Sequence, residues 1–158
     1  MSPSPGSNAL GSLLMRRGLI TQAQLDMALA RQRTTKQFLG EILIAQGWLQ
    51  PQALLETLSE QSGIPHVSLS LSQIDWRLAK LFPPSFFSEG KCFPVWGDDT
   101  AVTVALVNPF DTWRLRSLED VLRYRRLKPV LVLDQDLKIV YRAYQQQLLK
   151  ELGARLNP

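Results

Sequence analysis

Two glutamines are candidates for binding a ligand through their side-chain amides. Each follows two leucines, at intervals of seven and three residues. The two sets are Leu25, Leu29 and Gln32, and Leu54, Leu58 and Gln61. These intervals place all three side chains of a set on one face of a helix. A buried amide needs a hydrogen-bond partner, which can be a backbone carbonyl at the helix end or a ligand lying against the leucines. The pattern predicts either two ordinary helix ends or two halves of a binding face.

A leucine and a glycine precede each set, inside what reads as another helix; the pairs are Leu10 with Gly11 and Leu39 with Gly40. Glycine within a helix is less favourable than alanine by up to about 1 kcal/mol, so it predicts a group packed close to the backbone. Glu41 follows the second pair, and Ser12 follows the first. The Glu41 carboxylate is either an exposed helix charge or an acceptor for two adjacent N–H donors of a ligand.

These residues belong to a duplicated helical hairpin. Residues 9–32 read ALGSLLMRRGLITQAQLDMALARQ, and residues 38–61 read FLGEILIAQGWLQPQALLETLSEQ, at an offset of 29 residues. Leucines at helical spacing begin each copy, and Gly18 or Gly47 predicts the end of its first helix. Thr21 with Gln24 predicts a capping box, and Pro51 suits a first helical position. The leucines and isoleucines of both copies also predict a four-helix core, so part of this pattern is packing.

Several classes of enzyme site lack the residues they require. The chain has one histidine, His66, and one cysteine, Cys92, so zinc ligation and Ser/His/Asp catalysis are not expected. No segment matches the phosphate-binding loop G-x-x-x-x-G-K-[ST]. We therefore predict that the chain is not an enzyme and holds no cofactor.

Composition indicates a globular chain in a reducing compartment. The 158 residues are 45% hydrophobic, and the net charge is +4. That charge is far below the loading of a dedicated nucleic-acid binder, so no nucleic-acid partner is expected. A single cysteine and the lack of a membrane-spanning apolar run predict a cytoplasmic location, with any membrane association made through a partner or attached domain. The Pro/Ser/Gly-rich start predicts a disordered leader over residues 1–8.

The periodicity changes after residue 63, where short apolar runs typical of strands begin. HVSLSL, CFPVW, AVTVALV and PVLVL predict strands, and the segments from Asp111 and from Gln135 predict helices. The four tryptophans are expected in cores or between subdomains. The fold class is therefore α+β: a helical subdomain of two hairpins over residues 9–63, then a small α/β sandwich with a long C-terminal helix over residues 64–158.

The sequence resembles the MshEN domain, the N-terminal family of type II secretion and type IV pilus assembly ATPases. The resemblance is carried by the duplicated motif, its spacer RTTKQ and the segments GIPHVSLSLSQID and KCFPVWGDDTAVTVALVNPFD. The resemblance implies that the paired motifs bind cyclic di-GMP. It implies a site built from Leu10, Gly11, Leu25, Leu29, Gln32, Arg33, Leu39, Gly40, Glu41, Leu54, Leu58, Gln61 and Asn108. Asn108 stands where the family usually has an acid, although an asparagine before Pro109 is also typical of a turn.

The sequence departs from the family where the motif usually opens with arginine, because these positions are Ala9 and Phe38. Arg33, Lys36, Arg16, Arg17 or Arg31 could supply positive charge instead. We expect a regulatory domain that binds cyclic di-GMP and controls a secretion or pilus ATPase. Similar domains are also attached to NfrB-type membrane glycosyltransferases, so such an enzyme is another expected host. The alternative is a protein-docking module of the same fold that has lost nucleotide binding.

Overall fold

The structure of the protein, a computed structural model, describes the backbone of residues 7–156 and the side chains from Ala9 onward. The fold is α+β, as the sequence predicts. The chain divides into two compact units between Gly63 and Ile64. Most of the predicted leader lies outside the described residues; its last two, Ser7 and Asn8, belong to the first helix.

Four helices form the first unit: α1 (Ser7–Arg16), α2 (Gln22–Thr35), α3 (Leu39–Ala45) and α4 (Pro51–Ser62). The predicted capping box is present at α2, where the Gln24 N–H donates to Thr21 Oγ1 at 3.2 Å and the Thr21 N–H donates to Gln24 Oε1 at 2.9 Å. Gly18 and Gly47 have φ values of 70° and 75° after α1 and α3, a conformation that favours glycine and ends each helix. Local sequence thus sets where these helices begin and end.

The helices of the two hairpins pack crosswise. α1 packs against α4, and α2 packs against α3, which is the pairing expected of two copies related by an approximate two-fold axis. Their core contains five of the apolar side chains predicted for it: Leu14, Ile20, Ile42, Leu43 and Leu49. Leu13, which was also expected in the core, is only half-buried.

The second unit contains a three-stranded sheet of β1 (Cys92–Gly97), β2 (Ala101–Leu106) and β3 (Arg126–Leu131). β2 lies in the middle, antiparallel to β1 and parallel to β3. The parallel pair is joined by α5 (Thr112–Leu122), which starts where the Asp111 side chain accepts the Arg114 N–H. The long helix α6 (Asp134–Leu156) contacts β1. Three short 3₁₀ segments, Leu71–Gln73, Trp76–Leu81 and Pro84–Phe86, precede the sheet.

Two sequence expectations for the second unit are wrong. HVSLSL forms no strand; only His66 makes an isolated parallel bridge, to Leu131. Trp113 is not a core residue, because 75% of its surface is exposed on α5. Among residues 7–156, no helix is long and apolar enough to cross a bilayer.

Candidate ligand-binding site

The repeated glycines meet leucines of the following helix at matching positions in the two copies. A Cβ atom built on Gly11 would lie 2.7 Å from Leu25 Cδ1, and one built on Gly40 would lie 2.6 Å from Leu54 Cδ2. A side-chain carbon at either position would force the facing leucine to move, so glycine lets each pair of helices approach without displacing it. The group predicted to pack close to each glycine is therefore a side chain of the protein itself.

The leucines of the predicted site differ in how much surface they leave open. Four of them are buried: Leu10, Leu25, Leu39 and Leu58. Leu29 and Leu54 are half-buried and retain exposed apolar surface. The first four therefore belong to the helical core, and the last two could also contact a ligand.

The two repeated glutamines have different hydrogen-bond environments. Gln32 Nε2 donates to the backbone carbonyl of Gln37 at 3.0 Å, just beyond the end of α2. Gln61 Oε1 is buried and accepts no hydrogen bond from the described part of the chain. An unsatisfied buried acceptor is unfavourable by about 1 to 3 kcal/mol. Gln32 thus has the ordinary helix-end partner, whereas Gln61 retains an unmet need for a donor.

One arginine considered as a source of positive charge is held within the first unit. The Arg17 guanidinium pairs with the Glu60 carboxylate and donates to Thr57 Oγ1 at 3.3 Å, which links the end of α1 to α4. Sequence reasoning did not find this contact, because Thr57 and Glu60 lie 40 or more residues from Arg17 and match no motif. The pair has no counterpart in the other hairpin, where Gln46 occupies the equivalent position.

The remaining charged positions are more open. Arg31, Arg33 and Lys36 are exposed at the end of α2, and Arg16 is exposed at the end of α1. Glu41 is half-buried in the first turn of α3. The residues that replace the motif arginines differ from each other: Ala9 is exposed at α1, and Phe38 precedes α3 with its ring 44% exposed.

Asn108 lies in the second unit, after β2. Its Oδ1 accepts the Phe110 N–H at 2.9 Å, which closes a turn across Pro109. The turn role anticipated for this residue is therefore present. A role for Asn108 in binding a ligand stays a prediction.

The single cysteine and the single histidine of the chain both lie in the second unit. The Cys92 Sγ atom is buried and donates to the Phe86 carbonyl at 3.2 Å, and burial raises the pKa of this thiol. Buried thiols with raised pKa values are inert nucleophiles. His66 is exposed beside its bridge to Leu131. Within residues 7–156, no group of three His, Cys, Asp or Glu side chains could hold a metal ion.

Two relatives found by comparison with known proteins are type IV pilus assembly ATPases. The chain is 35% identical over 118 residues to the type IV pilus assembly ATPase PilB of Thermus thermophilus, which covers 73% of this chain and 13% of that protein. It is 27% identical over 118 residues to PilB of Myxococcus xanthus, covering 75% of this chain and 21% of the relative. The chain therefore spans a small fraction of the length of these ATPases.

Solved structures share the fold along nearly the whole chain. The structure of MshE with cdg superposes with a TM-score of 0.73 and 26% identity, covering 85% of this chain and 97% of that one. The N-terminal domain of XpsE gives a TM-score of 0.63 at 14% identity, covering 90% of this chain and 97% of that one, which shows the fold alone. The model of the MshEN domain matches residues 62–151. The chain belongs to the MshEN domain family.

Proposed function

We propose that this chain is a noncatalytic regulatory domain that binds cyclic di-GMP between its two helical hairpins. The likeness to MshE, which was solved with cdg, that is, cyclic di-GMP, supports this ligand. The likeness to PilB supports a pilus or secretion ATPase as the machine that is controlled. Control of an exopolysaccharide glycosyltransferase is a second possible setting, proposed from the family resemblance alone.

The unsatisfied Gln61 Oε1 atom is the observation that carries the proposal. The folded chain leaves this acceptor without a donor on the same helix face as Leu54 and Leu58. A ligand that supplies an N–H to this acceptor offsets the penalty of the unbound state. Buried polar atoms nearly always have a hydrogen-bond partner, so the unpaired Gln61 Oε1 atom favours a donor supplied by a ligand.

Cyclic di-GMP fits the remaining chemistry of this face. Its purines are flat and apolar, which suits the open surfaces of Leu29 and Leu54. The Glu41 carboxylate can accept the two adjacent N–H groups of one guanine edge. Exposed Arg33, which is adjacent to Gln32 in sequence, is proposed to face the phosphates. Asn108 is a proposed contributor from the second unit.

A second candidate function is docking of a protein partner. It is favoured by the exposed Phe38 ring in place of a motif arginine, and by the engagement of Arg17 with Glu60. An apolar ring in place of a charged donor weakens nucleotide binding and suits a protein surface. The partner would then lie on the helical face that otherwise binds the nucleotide.

The experiment that tests the proposal combines calorimetric titration with unfolding measurements on wild type and Gln61→Leu. Removing an unsatisfied acceptor should leave the free energy of unfolding unchanged or raise it by about 1 kcal/mol. The same change should weaken cyclic di-GMP binding by about tenfold or more, because a purine donor loses its acceptor.

Gln46→Ala, an exposed glutamine at the end of α3, is the matched control and should change neither quantity. GTP and cyclic di-AMP are the control ligands. If Gln61→Leu binds cyclic di-GMP as tightly as wild type, Gln61 does not contact the ligand. Failure of wild type to bind cyclic di-GMP at millimolar concentration would leave the docking function as the better account.

A further inference from the structure

The end of α6 extends beyond the part of the helix that packs in the core. Leu137 and Val140, near the start of α6, are buried, whereas every residue from 148 to 156 is exposed. We call residues 148–156 the projecting end of α6. Four of its nine residues are leucines, so it is not an ordinary solvated surface. A contiguous exposed apolar patch indicates contact with another surface.

The four leucines lie along one side of the projecting end and form a leucine stripe. They are Leu148, Leu149, Leu152 and Leu156. The side chains of Leu149, Leu152 and Leu156 are 68, 53 and 80% exposed. Because an α-helix turns by about 100° per residue, the middle of the stripe points about 100° away from the buried side chains of Leu137 and Val140. The stripe is therefore a second apolar face of α6, distinct from the one that the core covers.

Basic residues border the leucine stripe on both sides. Arg142 and Arg155 each lie about 70° around the helix from the middle of the stripe, in opposite directions. Lys150 adds a third cation, and Glu151 is the one acidic residue between residues 142 and 156. The three cations are exposed, and none of them forms an ion pair within residues 9–156. The apolar stripe thus lies in an excess of positive charge.

This charge and the length of the stripe decide which surface fits it. A second copy of the chain would bring like charges together, and the stripe spans little more than one heptad, whereas a coiled coil is sustained over three or four. Protein interfaces are commonly anchored by aromatic residues, and residues 148–156 contain none. A helix on a membrane surface combines an apolar face with Lys and Arg at the level of anionic headgroups.

We propose that the projecting end of α6 binds an anionic membrane surface. The leucine stripe enters the boundary between headgroups and acyl chains, and Arg142 and Arg155 contact lipid phosphates. Binding is weak and reversible, because the stripe is short. The contact is independent of the proposed nucleotide site, since all its residues lie in the second unit. It differs from the sequence expectation that a partner or attached domain makes any membrane association, because α6 supplies the contact itself.

Flotation of the whole chain with lipid vesicles tests the proposal. The chain should bind vesicles of phosphatidylcholine with about one third phosphatidylglycerol at least tenfold more tightly than vesicles of phosphatidylcholine alone, because each Lys or Arg contributes about fivefold on an anionic surface. Arg142→Glu with Arg155→Glu should weaken this binding by more than tenfold. Arg16→Glu with Arg31→Glu makes the same change of net charge in the first unit and should weaken it less. Absence of binding to the anionic vesicles at millimolar lipid overturns the proposal.

Serine substitutions test the leucine stripe itself. Leu149→Ser with Leu152→Ser should weaken binding to anionic vesicles by about tenfold or more, because two apolar side chains no longer enter the bilayer. Ile139→Ser is the matched control, since Ile139 is 51% exposed on another side of α6. It should bind as wild type does. Circular dichroism checks that both variants are folded. Equal binding by wild type and the folded leucine variant overturns the proposal.

A fluorophore reports directly on which side of α6 meets the lipid. Leu152→Cys carrying an environment-sensitive label should show a blue shift with anionic vesicles, whereas labelled Ile139→Cys should not; the native Cys92 is buried. An equal shift at both positions contradicts the proposed orientation. Sedimentation checks the alternative occupant. A dimer that is lost in the Leu149→Ser, Leu152→Ser variant would assign the stripe to a second copy and overturn the proposal.

Discussion

Gly11 and Gly40 have the same role, but the leucines that face them differ in their freedom to move. Leu25 is buried beside Gly11, whereas Leu54 is half-buried beside Gly40. A methyl group at Gly11 must therefore displace packed neighbours, and overpacking of this kind destabilises by about 1 to 3 kcal/mol. At Gly40 the leucine can rotate toward solvent. We expect Gly11→Ala to be clearly destabilising and Gly40→Ala to be milder.

Urea unfolding of the two variants measures this difference. Gly153→Ala in α6 is the control, because no atom lies within 4 Å of its Cβ position and helix propensity should then stabilise by about 0.5 to 1 kcal/mol. Leu25→Ala combined with Gly11→Ala should recover part of the loss, which a double-mutant cycle reports. Equal stability of Gly11→Ala and wild type would show that the contact is not a constraint.

The sequence predicts that these glycines are closely packed, but it does not predict which residues they contact. Glycine within a helix indicated that something packs close, and that expectation holds at both positions. The partner leucine could not be named, because it depends on how the helices cross. In the same way, the motif singled out both glutamines, but only tertiary packing decides that Gln32 reaches the Gln37 carbonyl while Gln61 Oε1 has no donor.

The turn between β1 and β2 is an element whose stability depends on pH. Asp98 Oδ1 accepts the Thr100 hydroxyl at 2.6 Å and the N–H groups of Thr100 and Ala101 at 2.7 and 3.0 Å. These bonds, the Thr100 side chain foremost, lower the pKa of Asp98 to about 2. Because the pKa is depressed in the folded state, the stabilisation is present above the unfolded value near 4 and is lost as pH falls toward about 2.

Asp98→Asn should therefore be less stable than wild type at pH 7. The difference between the two melting temperatures should shrink as pH is lowered from about 4 to about 2. Asp99→Asn removes a charge at the next position and serves as the control for net charge. A difference that is constant over this pH range would show that the Asp98 bonds do not depend on ionisation.

The helices and strands that are marked by their own residues were predicted correctly. The HVSLSL segment, whose structure depends on a distant sheet edge, was not. Capping residues and glycines marked α1 to α4, and apolar runs marked β1, β2 and β3. HVSLSL has the alternation of a strand, but a strand also requires a neighbouring edge. Leu131 donates to the Pro65 carbonyl and accepts from the Val67 N–H, after which the segment enters a 3₁₀ turn at Leu71. Sequence alternation cannot reveal that the available edge ends there.

At the scale of the whole molecule, the segment that matches the family and the predicted binding residues lie in different units. The family model matches residues 62–151, almost entirely the second unit, whereas all the predicted site residues except Asn108 lie in the first. Membership of the family is thus carried by the sheet-containing unit, and the proposed ligand chemistry by the helical one. A measurement that reports on both units at once is needed to show which unit binds the ligand.

Hydrogen exchange with and without cyclic di-GMP provides that measurement. Ligand at a hundredfold excess over its dissociation constant stabilises the bound unit by about 2.7 kcal/mol, which slows exchange through unfolding about a hundredfold. We expect this slowing in α1, α2, α3 and α4, with GTP causing none. Slowed exchange around Asn108 as well would support its predicted contribution. Protection limited to β1, β2 and β3 would contradict a site on the helical hairpins, because the ligand would then be bound by the unit that lacks both repeated motifs.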